Sequence, residues 1–533
     1  MGGAMVCKNA QSIKVPEPVK RFSEIKATTS YENIHSIYTF DKVVGKGSYG
    51  VVREGFLKTD PGKKVAIKII EKERIRHKVY LLEREITILQ TLDHPNIINF
   101  FETYQDFKYF YIVMEYCSGG ELLDRLIDKG RLHEYETRTI MYKLFSGLNY
   151  IHKKRIAHRD LKPENVLFSD NTHEAEIKII DFGLSNMLRT EETSIKRKSA
   201  ELTLHTKVGT PNYVAPEILK GEYTIACDIW SLGIITYLLL CGNPPFFSET
   251  EEGLYKKIEK GLLVFKEKEW EKISVKAKDL ILKCLKANPK KRITAEQAIK
   301  HPWFADLQRK SFLVVNKDSS EPDSPNLLNK HILNVLQNNK FKNKLKREVL
   351  KIFVNRLNEK EIITLKNAFQ TIDEEHRGAI SCAKLMEVMK LNGLEHSEAE
   401  IRDIIQNIKG GLENSENIYL NYTEFISATL DLKTHFDRQK LWNLFKYFDT
   451  KNKNYVTAED LKEIMARGGR RIPVEELQAM IKEQGLEKEG KLYFEDFCKM
   501  LDVEEVLENQ ELKEKEEKEG KKERSKSFCA LKE

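Results

Sequence analysis

A series of short residue groups in this chain could together handle a phosphate ester. GKGSYGVV places Gly45, Gly47 and Gly50 ahead of Val52. Glycines let backbone amides come close to phosphate oxygens. VAIK ends on Lys68, and LEREITIL carries Glu85, a carboxylate able to pair with an ammonium group. AHRDLKPEN brings Asp160, Lys162, Glu164 and Asn165 together, and IDFG adds Asp181, a hard oxygen donor of the kind magnesium takes. APE follows at 215–217. Taken singly, Lys68 reads as a surface lysine, Asp181 as a turn residue and the glycines as a hairpin. In this order they read as one apparatus.

The elements needed to position them are legible in the apolar pattern. YTFDKVVGKGSYGVVREGF and KKVAIKII alternate as strands do, so the glycine loop joins two strands. That argues against a dinucleotide site, where the glycines lie between a strand and a helix. FYIVMEYC adds another strand. From ELLDRLIDKG to HPWF at 301–304 the period is helical, and IITYLLLC reads as a buried helix.

The ordered set resembles the protein kinase family, over about Tyr38 to Phe304. The resemblance implies a two-lobed fold, ATP and Mg2+. Lys68 would contact the α- and β-phosphates, fixed by Glu85. Asn165 and Asp181 would hold magnesium. Asp160 would take the proton of the attacking hydroxyl, and Lys162 would stabilise charge on the transferred group. Met114 would be the gatekeeper, with Glu115 to Cys117 as the hinge against adenine. DLKPEN and GTPNYVAPE resemble the Ser/Thr branch. Glu121 and Glu164 match acidic positions that receive an arginine upstream of the target in basophilic relatives, which predicts protein substrates with basic residues before Ser or Thr. Ser194, Ser199, Thr203 and Thr206 are phosphate-acceptor candidates in a long activation segment. Asp228, Trp230 and Arg292 match bracing positions. A scaffold without phosphotransfer is the rival reading, but such a chain would normally lack one of Lys68, Asp160 or Asp181.

Beyond residue 304 the composition changes. KSFLVVNKDSSEPDSP reads as a linker, and HILNVLQNNKFKNKLKREVLKIFVNRL as one long helical stretch. Loop starts at Asp373, Glu413, Asp449 and Gly485 then recur at intervals of 40, 36 and 36 residues, each between helical patterns. A fixed period of helix–loop–helix units is a repeat architecture. With the junction stretch, it resembles the calcium-dependent protein kinases, whose junction helix blocks the active site until a four-EF-hand module takes calcium. The implied fold is α+β: a kinase fold at 38–304 after a leader at 1–37, a linker and junction helix at 305–360, four all-α EF-hands in two pairs at 361–501, and a charged tail at 502–533. Docking of this module on the kinase within one chain is expected.

Calcium is a separate question. An EF-hand loop takes ligands from positions 1, 3, 5, 7, 9 and 12, with glycine at 6. The first loop puts Arg377 at position 5 and Lys384 at 12. The second keeps Glu413, Ser415, Asn417, Asn421 and Glu424, with Ile418 at the glycine position. The third has Lys451 and Lys453 at ligand positions, Asn454 at the turn and Asp460 at the close. The fourth lacks a ligand at position 1 and ends on Asp496. The loops favour structural EF-hands over calcium sensing, with the second the best remaining site. Calcium activation through the second or third loop stays open.

Bulk properties narrow the rest. The 533 residues carry a net charge of only +7, with both signs interleaved, so no nucleic-acid partner is expected. Eight cysteines without a CxxC pair predict a reducing, cytoplasmic setting. No apolar run reaches the roughly 18 residues of a membrane span. Gly2 and Cys7 offer acylation sites, and membrane association is expected only if they are used.

Overall fold

The computed structural model describes residues 33–504, apart from 48–49, 77, 173–174, 184, 188–194, 197–210, 308–329, 339–342, 355–356, 358, 411–417, 433–436, 484 and 486–489. Gly2, Cys7, the four activation-segment hydroxyls, Glu413, Ser415 and Asn417 lie outside these residues.

Five antiparallel strands form the small lobe: β1 (Tyr38–Gly47), β2 (Gly50–Leu57), β3 (Asp60–Glu71), β4 (Phe100–Gln105) and β5 (Tyr109–Glu115). Their order is β1-β2-β3-β5-β4. Gly47 pairs with Gly50 at the end of the β1–β2 hairpin. Gly50 also has a packing reason: a Cβ there would lie 1.8 Å from the Ile69 carbonyl oxygen. Helix α1 (Val79–Thr91) packs on the inner face. Along β5, Phe110 and Ile112 join the core shared with the large lobe, while Tyr111 and Val113 join a second core on the other face. A sheet buried on both faces reads as a continuous apolar run, which is why FYIVMEYC does not alternate.

The large lobe is built on α2 (Leu122–Lys129), α3 (Glu134–Lys153), the hairpin of β6 (Val166–Phe168) with β7 (Ile177–Ile179), and α4 (Ala226–Cys241). Fifteen of the sixteen residues of α4 are buried, so the IITYLLLC run is core. Among the described residues, no helix is long and apolar enough to cross a membrane.

The junction differs from the single helix that its sequence predicts. It forms α5 (Lys330–Asn338) and α6 (Lys344–Val354). QNNKFKNK falls between their apolar stretches, and Asn343 caps the second helix by accepting from Lys346 N at 3.0 Å. Four helix–loop–helix units follow. They are α7 (Glu359–Ile372) with α8 (Cys382–Leu391), α9 (Glu398–Lys409) with α10 (Tyr422–Thr429), α11 (Arg438–Phe448) with α12 (Ala458–Arg467), and α13 (Val474–Lys482) with α14 (Phe494–Met500). The loops pair two by two. Strands β8 (Ala379–Ser381) and β9 (Tyr419–Asn421) register Ile380 with Leu420, and an antiparallel bridge joins Val456 to Leu492. These four residues sit at position 8 of their loops, which fixes the loop frame. Ile332, Leu333, Val349 and Leu350 of the junction share a core with the module and with the outer face of the small-lobe sheet.

Candidate active site

Between the lobes, side chains from separate elements meet. Lys68 lies on β3, flanked by Val52 of β2 and Ile112 of β5. Its Nζ is 2.5 Å from Glu85 Oε1 on α1 and 3.5 Å from Asp181 Oδ1. Burial works against the ammonium, but Glu85 and Asp181 outweigh it and hold the Lys68 pKa above its ordinary value. In return, Lys68 keeps the Asp181 carboxyl below the usual range. Asp181 follows β7 with φ of +62°, a backbone region that non-glycine residues occupy only when their surroundings enforce it. Here Gly183 N donates to its Oδ1 at 3.3 Å, and Phe182 is buried with its ring 4.9 Å from that of His158.

The segment between α3 and β6 supplies the second group. Asp160 Oδ2 is 3.1 Å from Lys162 Nζ and accepts from Asn165 Nδ2 at 2.9 Å. That amide nitrogen also donates to Asp160 O at 2.7 Å, so the Asn165 side-chain oxygen faces away from Asp160. With Asp181 it makes a hard-oxygen donor pair, which suits magnesium. The segment is braced from beneath. Asp228 on α4 accepts from His158 N at 2.9 Å and Arg159 N at 2.8 Å, and lies 2.8 Å from His152 Nε2. Burial opposes its charge, but the His152 contact and the backbone donors hold its pKa low. Arg292 forms a buried two-point pair with Glu217 at 2.7 and 3.0 Å.

The remaining predicted residues divide. Met114 on β5 pairs with Ala66 on β3 and packs, partly buried, against the core that the two lobes share. The Glu115 side chain is engaged by Lys178 at 3.0 Å and accepts from Asn99 N at 3.2 Å, so its carboxylate is held by a partner the sequence does not announce. Cys117 is half-buried. Among the described residues, a methyl group added at Gly45 or Gly47 would meet no backbone atom closer than 3.9 Å, so packing against them does not demand glycine at either. Glu121 opens α2 in a capping box with Asp124. Burial, Asp124 and Glu164 together push its carboxyl pKa up. Glu164 Oε2 is buried and has no hydrogen-bond partner among the described residues. The two acids thus stand close enough to repel, an arrangement that a cation would relieve.

The calcium positions present another chemistry. In the first loop, Lys384 Nζ is 2.9 Å from Glu374, and Arg377 pairs with Glu375. In the third, Lys453 Nζ is 2.9 Å from Asp460 Oδ2, so position 5 reaches position 12 through an ammonium group. Thr450 and Thr457 fill the rest of that carboxylate at 3.0 and 2.7 Å. Lys446, which sequence reading passed over, places its Nζ 3.1, 2.5 and 2.6 Å from Asp449, Asn452 and Asn454 oxygens. Its position three residues before Asp449 on a helix was the available signal. In the third loop lysines therefore engage the carboxylates at positions 1 and 12, while in the first an arginine engages the carboxylate at position 3. In the second loop, Glu424 accepts from Asn421 N at 3.0 Å, and Lys351 of the junction lies 3.8 Å from it. Ile418 is buried in the core.

Comparison with known proteins agrees with this geometry. A family model described as the protein kinase domain matches residues 38–304, and one described as an EF-hand domain pair matches 438–501. The chain is similar to calcium-dependent protein kinase 5 of Plasmodium falciparum, 37% identical over 88% of this chain and 78% of that one. It is also similar to calcium-dependent protein kinase 19 of rice, at 34% over 88% and 83% of the two chains, and to calcium-dependent protein kinase 12 of Arabidopsis thaliana, at 35% over 88% and 90%.

Proposed function

This chain belongs to the calcium-dependent protein kinase family, and from that premise we propose how its residues divide the work. It is a Ser/Thr protein kinase that uses ATP and is regulated by its C-terminal EF-hand region. Lys68, held by Glu85, binds the α- and β-phosphates under the glycine loop. Asn165 and Asp181 would hold magnesium, which supplies charge to offset that of the polyphosphate. Asp160 orients the acceptor hydroxyl and takes its proton as the oxygen bonds to the γ-phosphorus. Lys162 stabilises the charge that develops on the transferred group, and ADP leaves.

One observation carries this reading: a cation from β3 held within 2.5 Å of one carboxylate and 3.5 Å of another, each from a different element. The acceptor preference rests on Glu164 and Glu121. An unpartnered buried carboxylate oxygen beside a second acid favours substrates with an upstream arginine. The test is phosphate transfer from ATP to paired peptides that differ only in that arginine. Equal kcat/KM for the pair would refute the basophilic assignment, and no transfer to either would refute the catalytic one.

The cation pairs in the first and third loops support a weakened calcium response, with the second loop the best remaining site. Calorimetric titration of the full chain with calcium should give no more than one site. Two or more sites would overturn this.

A further inference from the structure

We infer that the first EF-hand loop, Asp373–Lys384, is a docking plug for the large lobe, held in shape by its own ion pairs instead of by calcium. This rests on the regulatory reading of the module and goes beyond it by naming the surface. His376, at loop position 4, has a left-handed φ of +47° and is nine-tenths buried. Its ring sits on α3, outside its own domain. Nε2 is 2.6 Å from the Tyr142 hydroxyl, and Nδ1 is 3.1 Å from Ser146 Oγ. Asn149 Nδ2 donates to the carbonyls of Glu375 and His376 at 3.1 and 3.0 Å. Lys153 Nζ reaches the Glu375 carbonyl at 3.4 Å.

Tyr142, Ser146, Asn149 and Lys153 recur at helical spacing, so they form one polar stripe on α3. A polar stripe next to buried apolar faces needs hydrogen-bonding partners, and the loop supplies them. Gly378 completes the fit. Its φ is +68°, and a Cβ there would lie 2.5 Å from the Tyr150 ring. The neighbouring unit adds a second hold: Thr423 donates from N and Oγ to Asp93 at 2.9 and 2.7 Å. Inside the loop, Asp373 accepts from the Arg377 and Gly378 amides at 2.9 and 2.7 Å, and Lys384 closes on Glu374. The backbone turn and both cationic positions are therefore satisfied from within.

Small-angle scattering of the full chain in calcium chelator tests this. The wild type should remain compact. His376→Asp and Asn149→Asp, which alter the contact from opposite sides, should each raise the radius of gyration with unchanged far-UV circular dichroism. His376→Gln, which keeps a hydrogen-bonding side chain, should recover most of the compact form. An extended wild type in chelator, or compact scattering from both charged variants, would overturn the inference. Calorimetry reads calcium binding separately, so the docking surface and the calcium reading can fail independently.

Discussion

The catalytic cleft and the EF-hand loops are both sites where oxygen donors and cations meet, and they have kept opposite things. In the cleft, two sets of polar side chains are held by their own contacts, Lys68 with Glu85 and Asp181, and Asp160 with Lys162 and Asn165, yet leave oxygens and donors for a charged ligand. In the first and third loops, the EF-hand frame is present and cationic side chains take part in the polar chemistry. Position 8 still pairs Ile380 with Leu420 and Val456 with Leu492, and Gly378 and Asn454 still make left-handed turns. Yet cationic side chains sit on loop carboxylates: Arg377 on Glu375 and Lys384 on Glu374 in the first, Lys446 on Asp449 and Lys453 on Asp460 in the third. An apolar frame can outlast its site, because packing selects for shape while binding selects for a few donors.

The largest break in that comparison should come from the cleft. Asp181→Ala removes the proposed magnesium ligand and a Lys68 partner, and kcat should fall by about 10³-fold or more in a peptide phosphorylation assay. Residual activity near wild type would mean that the cleft, like the loops, has only kept its shape. Next comes the brace. Arg292→Ala leaves Glu217 buried without its two-point partner, and should destabilise the large lobe by roughly 3–5 kcal/mol in denaturant unfolding. A smaller effect is expected at the acids proposed to receive the substrate's arginine. Glu164→Gln should lower kcat/KM for peptides with the upstream arginine by about 10–100-fold, as expected for one charged hydrogen bond, and leave peptides without it nearly unchanged.

Much of this was legible in the residues alone, for physical reasons. The cleft residues lie in short segments whose backbone is dictated locally, by glycines, by a strand end or by a tight turn, so type and spacing point to the site. The loop frame was legible because its apolar residues repeat with the helices. What the sequence did not disclose are partners brought together by tertiary packing alone. Lys178 reaches Glu115 from β7, Lys351 reaches Glu424 from the junction, and His376 reaches Tyr142 across 234 residues. The break between α5 and α6 was missed because Asn and Lys are tolerable helix residues, and a capping side chain decided the boundary.

If the lysines are what separate the third loop from a calcium site, removing them should sharpen the contrast. Lys451→Asp, Lys453→Asp and Asp460→Glu together restore acidic ligands at positions 3, 5 and 12. Calorimetry of the full chain should then gain one calcium site, with Kd at or below about 10⁻⁴ M. No gain would show that Lys446, still bound to Asp449, is sufficient to block the site, and adding Lys446→Gln would then be required.

The smallest expected effect is on the pH profile of the wild type, where two protonation shifts at the docking loop oppose each other. Burial, with Lys153 nearby, lowers the His376 pKa from 6.5 to about 4. His94, Tyr142 and Ser146 face it from the large lobe. The buried form therefore prefers neutral imidazole, and its advantage over the exposed form shrinks as pH falls from 6.5 towards 4. Asp373 in the same loop works the other way. Burial pushes its carboxyl from 3.8 to about 7, so the buried form prefers the neutral acid and loses ground as pH rises through that range. The two trends oppose each other between pH 4 and 6.5, and compactness of the wild type should change little there. His376→Gln removes one of them. The remaining Asp373 proton should then make docking weaken with rising pH by up to about 1.4 kcal/mol per unit, read as a pH-dependent radius of gyration that the wild type lacks. A flat profile in the variant would mean that Asp373 stays charged in the docked loop, held by the amides of Arg377 and Gly378 despite its burial.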